Sequence, residues 1–391
     1  MKKRITSLLL AVLMLLSLCA CGASSEETQA GTPAGTQTGT QTETAPAEQP
    51  SADAEAISAE EMSAMGDKYY HGDGVEVDLE QARSWYLKAG EAGYTQAYLW
   101  LGDTYYFSSG EWQDYGKAFE YYSKAAEAGI PDALGNLGVM YAAGYGVDQD
   151  YGKAAQWYEK AIDAGCAWAA RNLGNFYLYG TTGIEPDEEK GLDLVNRAVE
   201  AGFTDANMTL GSYYAYKKHD YEKAEECFVK AAEAGNTWAY YNLGNLFLYT
   251  VEDNDKAEEW LIKASEAGII GARARLGDLY CGFFGSDKRD YDKAIEWYTA
   301  AMESDPPDPY GVVQLGQMYY YGSGVEKDYD KAFELFSKSV DLYQELSPND
   351  GSFPLALELL SEMYSLGRGV EKDQDKADEL HEWAQSLQNA H

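Results

Sequence analysis

The chain has 391 residues, with 30 Lys plus Arg against 65 Asp plus Glu and a formal net charge of −35. That balance excludes nucleic acid as a natural partner, because binding phosphates needs a basic face, and it opposes contact with anionic lipid headgroups. Four His and five Cys leave little material for a dedicated metal centre, and neither a metal nor another cofactor is expected.

Lys2, Lys3 and Arg4 precede an apolar run from Leu8 to Leu18. The run is too short to span a bilayer as a stable helix but suits the core of a secretory signal. Its end, Leu18-Cys19-Ala20-Cys21, resembles the lipobox of bacterial lipoproteins, which implies cleavage before Cys21 and lipidation of that cysteine. Cys19 fits less well, since Leu18 rather than a small residue precedes it. Gly22 and the Leu-rich signal point toward a Gram-positive envelope. From Gly22 to about Ile57 the chain is Thr, Gln, Ala, Gly, Pro and Glu with almost no apolar bulk, a composition that cannot offset the entropy of ordering. As a flexible coil, its 36 residues have a root-mean-square reach of about 30 to 36 Å. Residues 1–20 are thus expected to be a signal peptide, 21–57 a lipidated, disordered linker, and 58–391 the folded part.

The folded part repeats. A Leu-Gly pair, or its variant, recurs at Met65-Gly66, Leu101-Gly102, Leu137-Gly138, Leu173-Gly174, Leu210-Gly211, Leu243-Gly244, Leu276-Gly277, Leu315-Gly316 and Leu360-Ser361. Successive spacings are 36, 36, 36, 37, 33, 33, 39 and 45 residues, a period that signals a solenoid. Three residues after each Gly stands an aromatic, such as Tyr69, Tyr105, Tyr141, Tyr177 and Phe247, which shares a helix face with the Leu four before it. A second helix follows, marked by Lys-Ala pairs such as Lys117-Ala118 and Lys153-Ala154 and by the apolar stripe Ala118, Tyr122 and Ala125. It often ends in Glu-Ala-Gly, where Gly accepts the left-handed conformation that closes a helix. Gly in mid-helix costs about 1 kcal/mol of propensity, so its recurrence predicts close approach of the paired helix.

Glycine-rich connections, including Gly72-Asp73-Gly74-Val75, Gly144-Tyr145-Gly146-Val147 and Gly322-Ser323-Gly324-Val325, complete the unit. Leu-Gly, the aromatic, Gly-x-Gly-Val and Lys-Ala in that order resemble the Sel-like repeat family, a relative of the tetratricopeptide repeats. The resemblance covers about 58–391 as about nine repeats and implies an all-α fold, a right-handed alpha-alpha superhelix made of antiparallel helix pairs. The fifth and sixth units depart from the pattern, lacking the Gly-x-Gly loop, and Gly191 replaces the usual Ala. A cysteine-rich branch of the family carries a disulfide in each repeat, and a penicillin-binding activity has been attributed to it. Cys166, Cys227 and Cys281 stand alone here, so each reads as a small buried thiol and that activity is not carried over.

No catalytic constellation emerges. The Gly-x-Gly loops join two helices and lack the remaining residues of a phosphate cradle. Asp73 with Asp78, and Glu252, Asp253 and Asp255, lack the alternating ligands and closing Glu of a calcium loop. The sharper feature lies on the first helices, at the positions two before and one after the Gly, which in tetratricopeptide-like arrays face an inner groove. They read Trp100 and Asp103, Asn136 and Val139, Asn172 and Asn175, Asn242 and Asn245, Arg275 and Asp278, Gln314 and Gln317. A carboxamide offers a donor and an acceptor, so a row of them can pair with the backbone of an extended peptide whatever its sequence. Five after the Gly stand Phe107, Tyr179, Tyr216, Tyr249 and Tyr321, which could add apolar pockets. Trp168 and Trp238 are either groove anchors or packing between repeats.

The function expected is binding without catalysis. The reading is a membrane-tethered, extracytoplasmic scaffold whose groove takes a protein or peptide segment, best one with Lys or Arg, and which meets the membrane through its lipid alone. A carbohydrate or peptidoglycan binder, with flat exposed rings along the groove, is the alternative.

Overall fold

The computed structural model describes residues 57–283, 287–347 and 350–389. Cys21, the expected signal peptide and nearly all of the expected linker lie outside the described residues. Eighteen α-helices and no extended strand occur among the described residues. They group into two compact units that meet in sequence at Ala201 and Gly202.

The N-terminal unit holds four helix pairs: α1 (Ala59–His71) with α2 (Leu79–Glu91), α3 (Gln96–Tyr106) with α4 (Tyr115–Glu127), α5 (Pro131–Ala143) with α6 (Tyr151–Asp163), and α7 (Ala167–Tyr179) with α8 (Glu188–Glu200). The C-terminal unit holds five. They are α9 (Ala206–Ser212) with α10 (Tyr221–Glu233), α11 (Trp238–Leu246) with α12 (Asn254–Glu266), α13 (Gly271–Cys281) with α14 (Tyr291–Met302), α15 (Pro309–Tyr321) with α16 (Tyr329–Leu346), and α17 (Phe353–Leu366) with α18 (Gln374–Asn389). Within each unit every helix packs on its neighbours in the chain, which is the solenoid expected from the repeats.

The mid-helix glycines are explained by what lies against them. A Cβ placed on Gly66, Gly102 or Gly138 would stand 2.5 to 2.6 Å from ring atoms of Tyr86, Tyr122 or Tyr158 on the second helix. Each ring lies flat on bare backbone, and Tyr122 and Tyr158 are almost wholly enclosed. The hydroxyl then reaches the residue after the glycine: Tyr86 donates to Asp67 at 2.7 Å and Tyr122 to Asp103 at 2.7 Å. Phe228 and Phe336 take the same place on Gly211 and Gly316, and Leu261 on Gly244.

Each second helix starts on an aspartate. Asp78, Asp114, Asp150, Asp187, Asp220, Asp253, Asp290 and Asp328 accept from the backbone N–H three residues on, satisfying a donor the helix leaves open. The same aspartate donates its own N–H to the carbonyl of the recurring aromatic, as Asp150 does to Tyr141 and Asp253 to Phe247. The Lys of the Lys-Ala pair caps that ring: Lys153 lies 5.3 Å from Tyr141, Lys190 4.1 Å from Tyr177 and Lys293 4.8 Å from Tyr280. In the fifth and sixth repeats, which lack the Gly-x-Gly loop, the first helix widens into a π-helical end, Tyr213–Lys218 and Phe247–Val251. The left-handed closing position then falls on His219 and Glu252 instead of a glycine.

Candidate functional site

First helices of neighbouring repeats also touch one another at one junction in each unit, α5 with α7 and α13 with α15. On that basis we take the first helices as the inner row, and the carboxamide positions sit on them.

In the N-terminal unit, α3 carries Trp100 and Asp103, α5 carries Asn136, and α7 carries Asn172, Asn175 and Tyr179. Trp100 is half-buried, its ring tilted against Tyr94 and Tyr86 at 5.8 and 6.1 Å. Asp103 is half-buried. Desolvation, with a smaller push from Asp132, raises its carboxyl to about 7 against the pull of the Tyr122 hydroxyl. Asn136, Asn175 and Tyr179 are half-buried as well. Asn172 is different. It is 3% exposed, and neither its amide nitrogen nor its oxygen has a hydrogen-bond partner.

Asn172 lies one helical turn past Trp168, and the Trp168 indole N–H donates to Asp132 on α5 at 2.8 Å. The Trp168 ring occupies the space a Cβ on Gly135 would need, so this tryptophan is packing between repeats. Trp238 has the other fate: it is 52% exposed, its ring standing edge-on to Tyr241 at 6.0 Å.

In the C-terminal unit, α11 carries Asn242 and Asn245, both buried, and the oxygen of Asn245 lacks a partner. Tyr216 and Tyr249 are half-buried, and burial pushes the Tyr216 phenol up to about 12 and that of Tyr249 well above its usual range. On α15, Gln317 donates to Gln314 at 3.3 Å. On α13, Asp278 is wholly enclosed and turned inward: Arg275 donates to one carboxylate oxygen at 2.9 Å, Tyr298 to the other at 2.8 Å, and the Tyr310 hydroxyl lies 3.1 and 3.2 Å from the two. The Arg275 guanidinium lies 4.5 Å from the Tyr310 ring centre. Burial raises the Asp278 carboxyl although Arg275 and the tyrosines oppose it. Asp278 is thus part of an interior ion pair rather than a side chain offered to solvent.

Of the residues five past the glycine, Phe107 and Tyr321 are 50% and 54% exposed. Asp78 and Asp253, weighed as calcium ligands, are helix caps, and Asp255 pairs with Lys288 at 2.6 Å. No group of three or more His, Cys, Asp or Glu suited to a metal occurs among the described residues. Tyr122 was legible in the sequence as part of the second helix's apolar stripe, but not as the ring that covers Gly102; Tyr86, Tyr158 and Tyr298 cover Gly66, Gly138 and Gly277 in the same way.

A family model for the Sel1 repeat matches residues 62–94, 95–130, 131–166, 169–203, 207–236, 239–269, 270–305, 309–343 and 354–381. The chain belongs to the Sel1 repeat family. Its nine Sel1 repeats coincide with the nine helix pairs. Among solved structures it is similar to c5321, a protective antigen present in uropathogenic Escherichia coli strains and displaying an SLR fold. The identity there is 28%, over 85% of this chain and 72% of that one, with a TM-score of 0.52. A Sel1 repeat protein from Oxalobacter formigenes is 31% identical over 54% of this chain and 89% of its own, with a TM-score of 0.47. Comparison with curated proteins gives no match. Sel1 repeats form a scaffold-type fold suited to protein–protein interaction.

Proposed function

We propose that this Sel1 repeat protein is a non-catalytic scaffold, tethered outside the cytoplasm through a lipid on Cys21, that holds an extended peptide segment on its inner helix row. The observation that carries the reading is Asn172, whose carboxamide is unpartnered and closed off in the free protein, so that it has to turn outward to meet a segment. An unmade hydrogen bond on a buried donor or acceptor costs about 1–3 kcal/mol, and this side chain leaves both kinds unmade. In an extended strand the N–H and C=O of one residue point the same way, so a single carboxamide can serve both. A helical segment has already spent those groups internally. In the C-terminal unit the oxygen of Asn245, which follows its repeat glycine instead of preceding it by two, is also unpartnered.

The tether rests on the lipobox-like Leu18-Cys19-Ala20-Cys21, and a place outside the cytoplasm also agrees with the likeness to a protective antigen. Labelling with a fatty acid should mark the wild type and not Cys21→Ala.

The test of the groove is a selection of random, unstructured dodecapeptides on the immobilised full chain, repeated on Asn172→Leu. Sequences enriched by the wild type and lost on the variant support the reading. Enrichment that survives the substitution puts binding on another surface, and retention of peptidoglycan fragments with no peptide enriched puts the glycan reading in its place.

A further inference from the structure

The connection inside the second repeat differs from those with a Gly-x-Gly turn. In the third, eighth and ninth repeats the second glycine of that turn, Gly146, Gly324 or Gly369, lies directly on Tyr115, Tyr291 or Tyr329 at the start of the preceding second helix. The second repeat runs Ser108-Ser109-Gly110-Glu111-Trp112 instead, and nothing stands within 4 Å of where a Cβ on Gly110 would lie. An open cleft of about 490 Å³ remains among α2, α3 and α4. Small-ligand sites span about 300–1,000 Å³. α2 lines the cleft with Glu80, Arg83, Ser84 and Leu87, which share one helix face, and α4 with Lys117 and Tyr121. α3 contributes Leu101 and Tyr105, which are turned away from Trp100 and Asp103, so the cleft is separate from the inner row.

Arg83 is the sharpest departure from the repeat. At the same place on the second helix, Phe119 and Phe333 set a ring edge-on to Tyr141 and Tyr364 of the next repeat, at 5.7 and 5.4 Å. Packing there needs no charge. Arg83 lies 3.9 Å from the Tyr105 ring centre and 5.6 Å from that of Trp112. It donates to the carbonyls of Thr104 and Trp112 at 2.6 and 2.8 Å, and to the hydroxyls of Thr104 and Ser108 at 3.2 and 3.3 Å. All of these acceptors are neutral. Its Nη1 donates to nothing, and among the described residues no carboxylate is in ion-pair contact with it.

The charges around the cleft balance, Arg83 and Lys117 against Glu80 and Asp114. An anion entering it meets two carboxylates and a cation meets two cations, and like charges brought together are costly. A hydroxyl both donates and accepts, so a neutral polyol can use both kinds of group. Tyr105 and Tyr121 stack at 5.8 Å and 11°, and Trp112 at the edge of the cleft is 39% exposed. Such rings offer flat apolar faces beside the polar groups. We propose that this cleft binds a neutral sugar ring, its hydroxyls on Arg83 Nη1 and on the carboxylates of Glu80 and Asp114, and its C–H face against Trp112. The site does not rest on the peptide reading.

The test titrates the full chain, by calorimetry, with neutral tetrasaccharides of glucose, mannose, galactose and N-acetylglucosamine and with the matching monosaccharides. At least one should bind, with an affinity that salt leaves unchanged, since the ligand carries no charge to screen. Trp112→Ala removes the ring but keeps the carbonyl that holds Arg83, and should weaken binding at least tenfold. Ser84→Trp, at an exposed position, fills the cleft while leaving its other walls in place and should abolish binding. Asn172→Leu should bind as the wild type does. Ellipticity at 222 nm verifies that each variant is folded.

Binding of a monosaccharide supports a free sugar as the occupant, and binding of a tetrasaccharide alone supports a unit of a glycan chain. No sugar bound, or binding that both cleft variants keep, overturns the inference. So does loss on Asn172→Leu, which would put the sugar in the groove, and so does a preference for a uronic acid tetrasaccharide that weakens with salt, which would make the cleft an anion site.

Discussion

Replacing Asn172 by Leu should make the protein more stable and functionally empty. The side chain is 3% exposed with both polar atoms unpartnered, so the folded state carries a desolvation cost that nothing in the chain repays. Each such group costs about 1–3 kcal/mol, and an apolar residue of the same branching removes both. Leu is the larger side chain, and overpacking takes back part of the gain, leaving a net increase of about 1–3 kcal/mol. For a unit of this size that corresponds to a rise in melting temperature of about 2–4 °C per kcal/mol. Thermal and urea melts followed at 222 nm measure it. The transition to watch is that of the unit containing α7, since repeat arrays distribute stability locally. A variant less stable than wild type would refute the reasoning, because it would show that the carboxamide is already satisfied in the free protein.

Gly102→Ala should destabilise. Ala gains about 1 kcal/mol of helix propensity, but its Cβ would meet the Tyr122 ring at 2.6 Å, and relieving such overlap costs about 1–3 kcal/mol. Urea melts showing the variant as stable as wild type would contradict the ring-on-backbone lock. Asp103→Asn should raise the melting temperature at pH 8 and leave it unchanged near pH 4. The folded carboxyl sits at about 7, above its unfolded value, so the stability it contributes is full at low pH and lost as pH rises through that window. Equal melting temperatures at pH 8 would contradict this. Burial pushes the Cys227 and Cys281 thiols up to about 11, so an alkylating reagent at pH 8 should leave both unmodified until the protein is unfolded. Rapid labelling of the native protein would contradict it.

The repeat architecture was legible in the sequence because each unit carries its own punctuation. Leu101-Gly102 with Tyr105, then Lys117-Ala118, fixes two helices and their facing stripes without reference to the rest of the chain. The need for close approach at Gly102 could also be inferred, since a mid-helix glycine has to be offset by packing. What covers it could not, because Tyr122 arrives from the second helix and its hydroxyl happens to reach Asp103.

The candidate site was harder to read for a related reason. Spacing puts Asn172, Asn175, Asn242 and Asn245 on the inner row, but depth depends on neighbours from adjacent repeats, and only the structure shows Asn172 enclosed while Asn175 stays half-buried. Trp168 and Trp238 occupy equivalent sequence positions. Gly135 accepts the ring of the first, whereas the second is left largely open. Arg275 and Asp278 are three apart like other pairs, and their closure into an ion pair depends on Tyr298 and Tyr310 from two further helices.

The central claim is that Asn172 reads the backbone of an extended segment. Its most direct test is a double-mutant cycle between Asn172 and the N–H groups of a selected peptide, N-methylated one position at a time, with affinities measured by calorimetry. Backbone pairing predicts one position where methylation weakens binding to the wild type at least tenfold and has no further effect on Asn172→Leu. Equal losses on both proteins at every position would show that the carboxamide does not touch the peptide backbone.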